Sequence, residues 1–158
     1  MNILHIISGD FLAGSETYAV NLANCQIEHG HLVYIAGSDL FSETDAEFIP
    51  VQIHNRSFFN RIKNVISLVR IIHHHNIDVL HAHSRAASWV ACYAAKLTRI
   101  AFISTLHGRM HIHRSSKKSN IYGSHAIAVC DDIHEQMLKE ANCFQSERVH
   151  VIRNGIAV

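Results

Sequence analysis

An α/β fold, a parallel sheet with helices on both faces, is what this chain predicts. Three observations carry that expectation. Short apolar runs alternate with segments of helical periodicity from the first residues to the last. The short runs are apolar throughout, not in alternate positions, as strands covered on both faces are. Polar loops rich in small residues, histidine and arginine recur after the strands, on the side where ligands bind in such folds.

The opening stretch Ile3 to Glu16, ILHIISGDFLAGSE, reads as a buried strand that breaks into a small-residue loop and restarts as a helix. Unpaired N–H groups in a helix's first turn favour an anion there, and Gly14 lets a ligand approach the backbone. Neither the dinucleotide fingerprint nor the P-loop spacing is met, so the stretch alone also fits a plain βα turn. Glu16 to Glu28 reads as a helix with Ala19, Leu22, Ala23 and Ile27 on one face, closed by Gly30 in a left-handed cap. Leu32 to Ala36 is a strand, 38–50 a loop with a short turn, and Val51 to His54 a short strand. Arg61 to His74 carries Ile62, Val65, Ile66, Val69 and Ile72 at helical spacing. A strand Val79 to Ala82, a helix from Ala86 to Leu97 and a strand Ala101 to Leu106 follow. The polar, basic segment 107–118 interrupts the rhythm, and Ile121 to Gly123 ends a short helix. Ala126 to Val129 is a strand and Asp131 to Ala141 a helix that Asp131 or Asp132 caps. Val149 to Ile152 is the last strand, before the turn residues Asn154-Gly155.

Composition narrows the function classes. With 48% apolar and 17% charged residues, one proline and seven glycines, the chain is a packed domain without low-complexity linkers. Its 158 residues suit one domain, and a net charge of +1 gives no global pull on nucleic acid. Cys25, Cys92, Cys130 and Cys143 are widely spaced, and Met1-Asn2 leads into strand residues without a charged leader; reduced thiols and a cytoplasmic location are expected. No apolar run approaches the ~20 residues of a membrane span. The oddity is 15 histidines. His81 and His83, two apart on a strand, share one face and could reach one ligand. No group has the spacing of a metal motif, so no metal is expected. No nucleophile elbow or obvious Cys–His pair is present.

The order of pieces resembles the N-terminal half of a family 4 glycosyltransferase of the GT-B type. The pieces are Ala13-Gly14-Ser15-Glu16, Leu22-Ala23, Gly30-His31-x-Val33, Asp78-Val79-Leu80-His81-Ala82-His83-Ser84-Arg85, Thr105-Leu106-His107-Gly108, Ala126-Ile127-Ala128-Val129, and Val149 to Ile156. The stretches Asp78 to Trp89 and Thr105 to Gly108 look most like bacterial enzymes that build lipopolysaccharide core or other surface polysaccharide. The resemblance implies a Rossmann-like domain that binds the acceptor in a retaining sugar transfer from a nucleoside diphosphate sugar to a lipid-linked or surface glycan, with no cofactor. It implies that His107 acts beside the reacting sugar. It points to Ala13, Gly14, Ser15 and Glu16 at the donor diphosphate and the acceptor, and to His83, Ser84, Arg85, Gly108 and Arg109 as further substrate contacts. The duller accounts are a turn glycine, a helix-dipole glutamate, a hydrogen-bonded core histidine and a solvated arginine. Departures are Ala13-Gly14 in place of Gly-Gly, Cys130 in place of serine, and Arg153 in place of proline.

In such enzymes the Asn-Gly piece lies near a hinge to a second, donor-binding domain. Residues 1–158 are therefore expected to be a single N-terminal domain without that partner, and inactive alone. Peripheral contact with an anionic membrane through Arg61, Lys63 and Arg70, with Arg114, Lys117 and Lys118, is a further expectation. Two other classes stay open: a stand-alone flavodoxin-like binding module for a nucleotide or phosphosugar, and a histidine-rich metal binder.

Overall fold

The computed structural model describes residues 1–8, 14–40, 42–53, 57–109, 120–141 and 146–154. Seven strands form one sheet in the order β3-β2-β1-β4-β5-β6-β7, every neighbouring pair parallel. The strands are β1 (Asn2–Ile6), β2 (Leu32–Gly37), β3 (Glu47–Pro50), β4 (Val79–Ala82), β5 (Ala101–Leu106), β6 (His125–Ala128) and β7 (Val149–Val151). The helices are α1 (Gly14–Glu28), α2 (Phe58–His74), α3 (Arg85–Thr98) and α4 (Asp131–Gln136), the last continued by a π-helical turn at Met137–Ala141. The expected α/β architecture is the observed one. Strand order reverses between β1 and β4, so a crevice opens beyond their carboxyl ends.

The two faces of the sheet differ in chemistry. Strand side chains alternate between faces, so Leu4, Ile6, Leu80, Ala82 and Phe102 turn to α2 and α3 and form an apolar core. Alanines 87, 91, 94 and 95 on α3 are buried in that core, and their small side chains let the helix lie close to the sheet. On the other face α1 places Ala19, Val20 and Ala23 over Ile7, Val33 and Ile35. Between these clusters, on the α1 side of β1 and β4, stand His5, His81 and His83, all buried.

Several boundaries depart from the expectations. The third strand lies at Glu47–Pro50, earlier than Val51 to His54, and pairs with β2 alone. At this sheet edge Pro50 costs nothing for its missing N–H, and the half-buried pattern of the strand concealed it. Val51 and Ile53 are buried beyond the strand end, while His54 falls outside the described residues. On α2 the buried face is Asn64, Val65, Leu68 and Ile72, and Ile62 and Ile66 are exposed. Asn64 takes a core-facing position by donating to the Gln52 carbonyl at 2.7 Å. Residues 121–123 form no helix; Tyr122 is buried there and Gly123 has φ +94°. Cys130, not an aspartate, is the N-cap of α4. Asp131 and Asp132 stand in its first turn, where negative charge complements the helix dipole.

Gly123 is the glycine on which the fold most depends. Besides its positive φ, a Cβ there would lie 2.4 Å from the Phe102 carbonyl oxygen. Gly123→Ala is expected to destabilise the domain by about 2–3 kcal/mol, read as a lower urea midpoint at unchanged slope.

Candidate functional site

The crevice at the β1/β4 reversal is walled by the start of α1, the residues after β4 and the residues after β5. β1 and β4 pair with His5 directly beside His81, and His83 continues the ladder by donating its backbone N–H to the Ile6 carbonyl at 3.0 Å. His83 is 2% exposed. His107 follows β5 and is half-buried. Tyr18, one turn into α1, places its ring edge on His107 with centroids 4.9 Å apart and also contacts His83 at 5.9 Å.

These side chains form a hydrogen-bonded array. His107 Nε2 lies 3.4 Å from His83 Nδ1, His83 Nε2 lies 2.8 Å from His5 Nδ1, and His5 Nε2 lies 2.7 Å from Gln26 Oε1. His81 Nε2 meets the Thr105 hydroxyl at 2.7 Å. Burial disfavours the charged imidazolium. It lowers His5 and His107 to about 4 and His81 and His83 well below the ordinary histidine value, helped in the last two by the neighbouring rings. The cluster is therefore neutral at pH 7. The Nδ1 of His107 is buried and has no hydrogen-bond partner, the state of a group shaped to receive one.

One atom on each of His5, His81 and His83 lies within 4.8 Å of the others, the number and kind of groups a metal ion takes. His5 and His83, however, direct their facing nitrogens at each other. Their ring centroids are 5.1 Å apart where the nitrogens are 2.8 Å apart, so the rings meet head-on. That is the geometry of a hydrogen bond.

The other predicted residues divide. Gly14 is exposed at the start of α1 and Ser15 half-buried, whereas Glu16, expected at the donor diphosphate and the acceptor, is buried at 3% exposure. Glu16 sits on the inward face with Ala19, Val20 and Ala23, which its place in the helix repeat dictates. Ala13 lies outside the described residues. Ser84 caps α3, its hydroxyl accepting the Ala87 N–H at 3.1 Å. Ser84→Ala is expected to cost about 1 kcal/mol of stability in urea unfolding. Arg85 is half-buried at the first turn of α3. Gly108 and Arg109 are exposed beside His107. Arg109 grips Asp132 with two bonds, Nε to Oδ2 at 2.8 Å and Nη2 to Oδ1 at 3.0 Å, and holds that carboxyl below its usual range. Exposed pairs of this kind contribute little, so the arginine fork can exchange its carboxylate for another anion. His83, read as a substrate contact, is enclosed by His5, His81, Tyr18 and His107 and supports His107 from beneath.

Sequence reasoning missed His5, Tyr18, Gln26 and Thr105. The available signal was a histidine inside the apolar run ILHII, which the pairing of β1 with β4 sets directly beside His81 on the same face.

Residues 12–158 match the family described as Glycosyltransferase Family 4. The chain belongs to glycosyltransferase family 4. Its Rossmann-like sheet is that of the N-terminal half of GT-B glycosyltransferases. A glycosyltransferase from Rickettsia africae superposes with a TM-score of 0.84 at 24% identity, over 98% of this chain and 43% of that one. HepE from Anabaena, solved with UDP and glucose, gives 0.76 at 17% identity over 99% and 45%. The lipopolysaccharide outer core galactosyltransferase WaaB gives 0.73 at 17% identity over 99% and 46%. The family 4 chain thus spans less than half the length of these proteins. No curated protein sequence matches it.

Proposed function

We propose that this domain binds the acceptor in a retaining transfer of a sugar from a nucleoside diphosphate sugar to a lipid-linked or surface glycan. The observation that carries the reading is His107. It occupies the family's histidine position after β5, at the mouth of the crevice, with one ring nitrogen buried and unpartnered. In the reaction the bond from the sugar's anomeric carbon to the diphosphate breaks, a bond to the acceptor oxygen forms, and the acceptor's proton leaves with the diphosphate. Catalysis then consists of placed hydrogen bonds and dipoles. The N-terminus of α1 at Gly14 faces the departing phosphates with its dipole, His107 holds a sugar hydroxyl, and Arg85 and Arg109 meet acidic groups of the acceptor. Transfer requires a donor-binding half of the kind that completes the GT-B relatives.

The test is sugar transfer, scanned over nucleoside diphosphate hexoses and lipid-linked acceptors, by residues 1–158 alone and by a polypeptide that joins them to a GT-B donor half. Turnover is expected from the second and not from the first. Transfer at a comparable rate by residues 1–158 alone would overturn the division of labour. Binding of a nucleotide or phosphosugar by residues 1–158, without turnover in either form, would favour the stand-alone module.

A lipid-linked acceptor also requires a membrane surface nearby. No helix among the described residues is long and apolar enough to cross one. On α2, Phe58 (67% exposed), Phe59 (75%), Ile62 and Ile66 form an outward apolar stripe, with Lys63 and Arg70 on the same exposed side. Arg61 is drawn away to stack over Trp89 at 4.8 Å. The other basic residues expected at the membrane, Arg114, Lys117 and Lys118, lie outside the described residues. We assign α2 to the face of an anionic bilayer, with the protein peripheral on the cytoplasmic side. Phe58→Ser with Phe59→Ser is expected to reduce flotation with anionic vesicles at least severalfold; no binding by the parent chain at low salt would refute it.

A further inference from the structure

The four side chains that run from His107 to α1 have a direction as well as a path. Gln26 Oε1, at the far end, can only accept, so His5 Nε2 must donate to it across 2.7 Å. A neutral His5 then has its lone pair on Nδ1, which receives the proton of His83 Nε2 across 2.8 Å. His83 in turn has its lone pair on Nδ1, which receives the proton of His107 Nε2 across 3.4 Å. His107 is left with a bare Nδ1, the buried nitrogen without a partner. Both ring-to-ring contacts are head-on. The His83 and His107 centroids are 5.7 Å apart, and the excess over the nitrogen separation equals that of the His5 pair.

We propose that Gln26, acting through His5 and His83, sets the tautomer of His107 and so makes its Nδ1 an acceptor for a donating hydroxyl of the bound sugar. Gln26, His5 and His83 are positioning residues; none of them is a substrate contact. The proposal rests on the reading of His107 given above and specifies that His107 accepts from the sugar hydroxyl it holds. The groups that face His83 are His5 from β1, His81 from its own strand, Tyr18 from α1 and His107 after β5. Burial favours the protonated form of Tyr18 and none of the four is a carboxylate, so among the described residues facing His83 no anion competes with the amide for control of the array.

The array is also reversible. Protonation of His5 gives it two N–H groups, so its Nδ1 donates to His83, His83 donates to His107, and His107 Nδ1 acquires the proton. Burial keeps that reversal well below neutral pH in the natural chain. A carboxylate in place of the Gln26 amide stabilises the charged ring and moves the reversal toward the ordinary histidine value.

Long-range proton–nitrogen NMR of ¹⁵N-labelled residues 1–158 reads each imidazole tautomer without any substrate. At pH 7 His107 is expected as the Nε2–H form. Gln26→Leu, which removes the terminal acceptor, is expected to give a mixture of both tautomers at His107. Gln26→Glu is expected to bring His107 into the Nδ1–H form at a pH where the natural chain is folded and still in the Nε2–H form; this variant decides the matter should Gln26→Leu fail to fold. A natural His107 in the Nδ1–H form, or a His107 tautomer indifferent to both substitutions, overturns the relay. That failure leaves the proposed transfer standing. Conversely, undiminished transfer by a His107→Ala enzyme would remove the catalytic reading while the NMR result still reports the array.

Discussion

His107→Ala, in a transfer-competent polypeptide that contains this domain, is expected to lower kcat by about 10²–10³-fold, the scale on which one placed hydrogen-bonding group is felt at a reacting centre. The basis is local. His107 stands at the carboxyl end of β5, its Nε2 toward His83, its ring edge-on to Tyr18 and its Nδ1 buried without a partner. Burial holds it neutral, so the ring orients and polarises a hydroxyl without bringing a charge into the crevice. On the proposed reading the contact is one that strengthens toward the transition state, so the loss should fall on kcat and leave KM within a few-fold. The check is steady-state kinetics of both proteins at saturating donor, with unfolding midpoints confirming that the variant is folded. A proportionate rise in KM at constant kcat would show that His107 only binds.

Acid sensitivity is the second large effect. His5, His81 and His83 are neutral in the folded domain because burial lowers their pKa, whereas in the unfolded chain they titrate near 6.5. Between 6.5 and the depressed folded values the unfolded state binds more protons, so stability rises with pH there and is lost as the solution is acidified. It is fully present above pH 6.5 and declines through the window down to about 4, the value reached by His5. At pH 5 a histidine held near 4, as His5 is, contributes a loss of roughly 2 kcal/mol, and His81 and His83 add to it in the same direction. Domain stabilities are commonly about 5–15 kcal/mol, which makes unfolding at mildly acidic pH the expected outcome. Urea midpoints measured from pH 7.5 to 5 should fall steeply, and His81→Gln should flatten that slope. A slope unchanged by the substitution would mean that His81 stays paired and uncharged at no cost.

The sheet is readable from the sequence because strands covered on both faces are mostly apolar, and β1, β2, β4 and β5 are, with His5, His81, Ser104 and Thr105 as the buried polar exceptions. β3 is not, since a half-buried edge strand carries Glu47 and Pro50 and looks like loop. The inward face of α2 was misread for a related reason. Ile62 and Ile66 obey the helical repeat but point outward, and Asn64 is accepted inside because a carbonyl of 52 receives its amide. His107, Gly108 and Arg109 were legible as one motif and do sit together. Ser84 was legible as part of its motif, but its hydroxyl is given to the first turn of α3.

What the sequence determined by itself is the alternation of elements, the parallel sheet and the family, because these depend on residue order and local periodicity. What the tertiary structure alone decided is the state of the histidines. His5, His83, His107 and Gln26 come from four separate stretches of chain, and only the pairing of β1 with β4, with α1 laid across them, brings their nitrogens into line. Once they are buried together, the cost of desolvating a charge keeps them neutral.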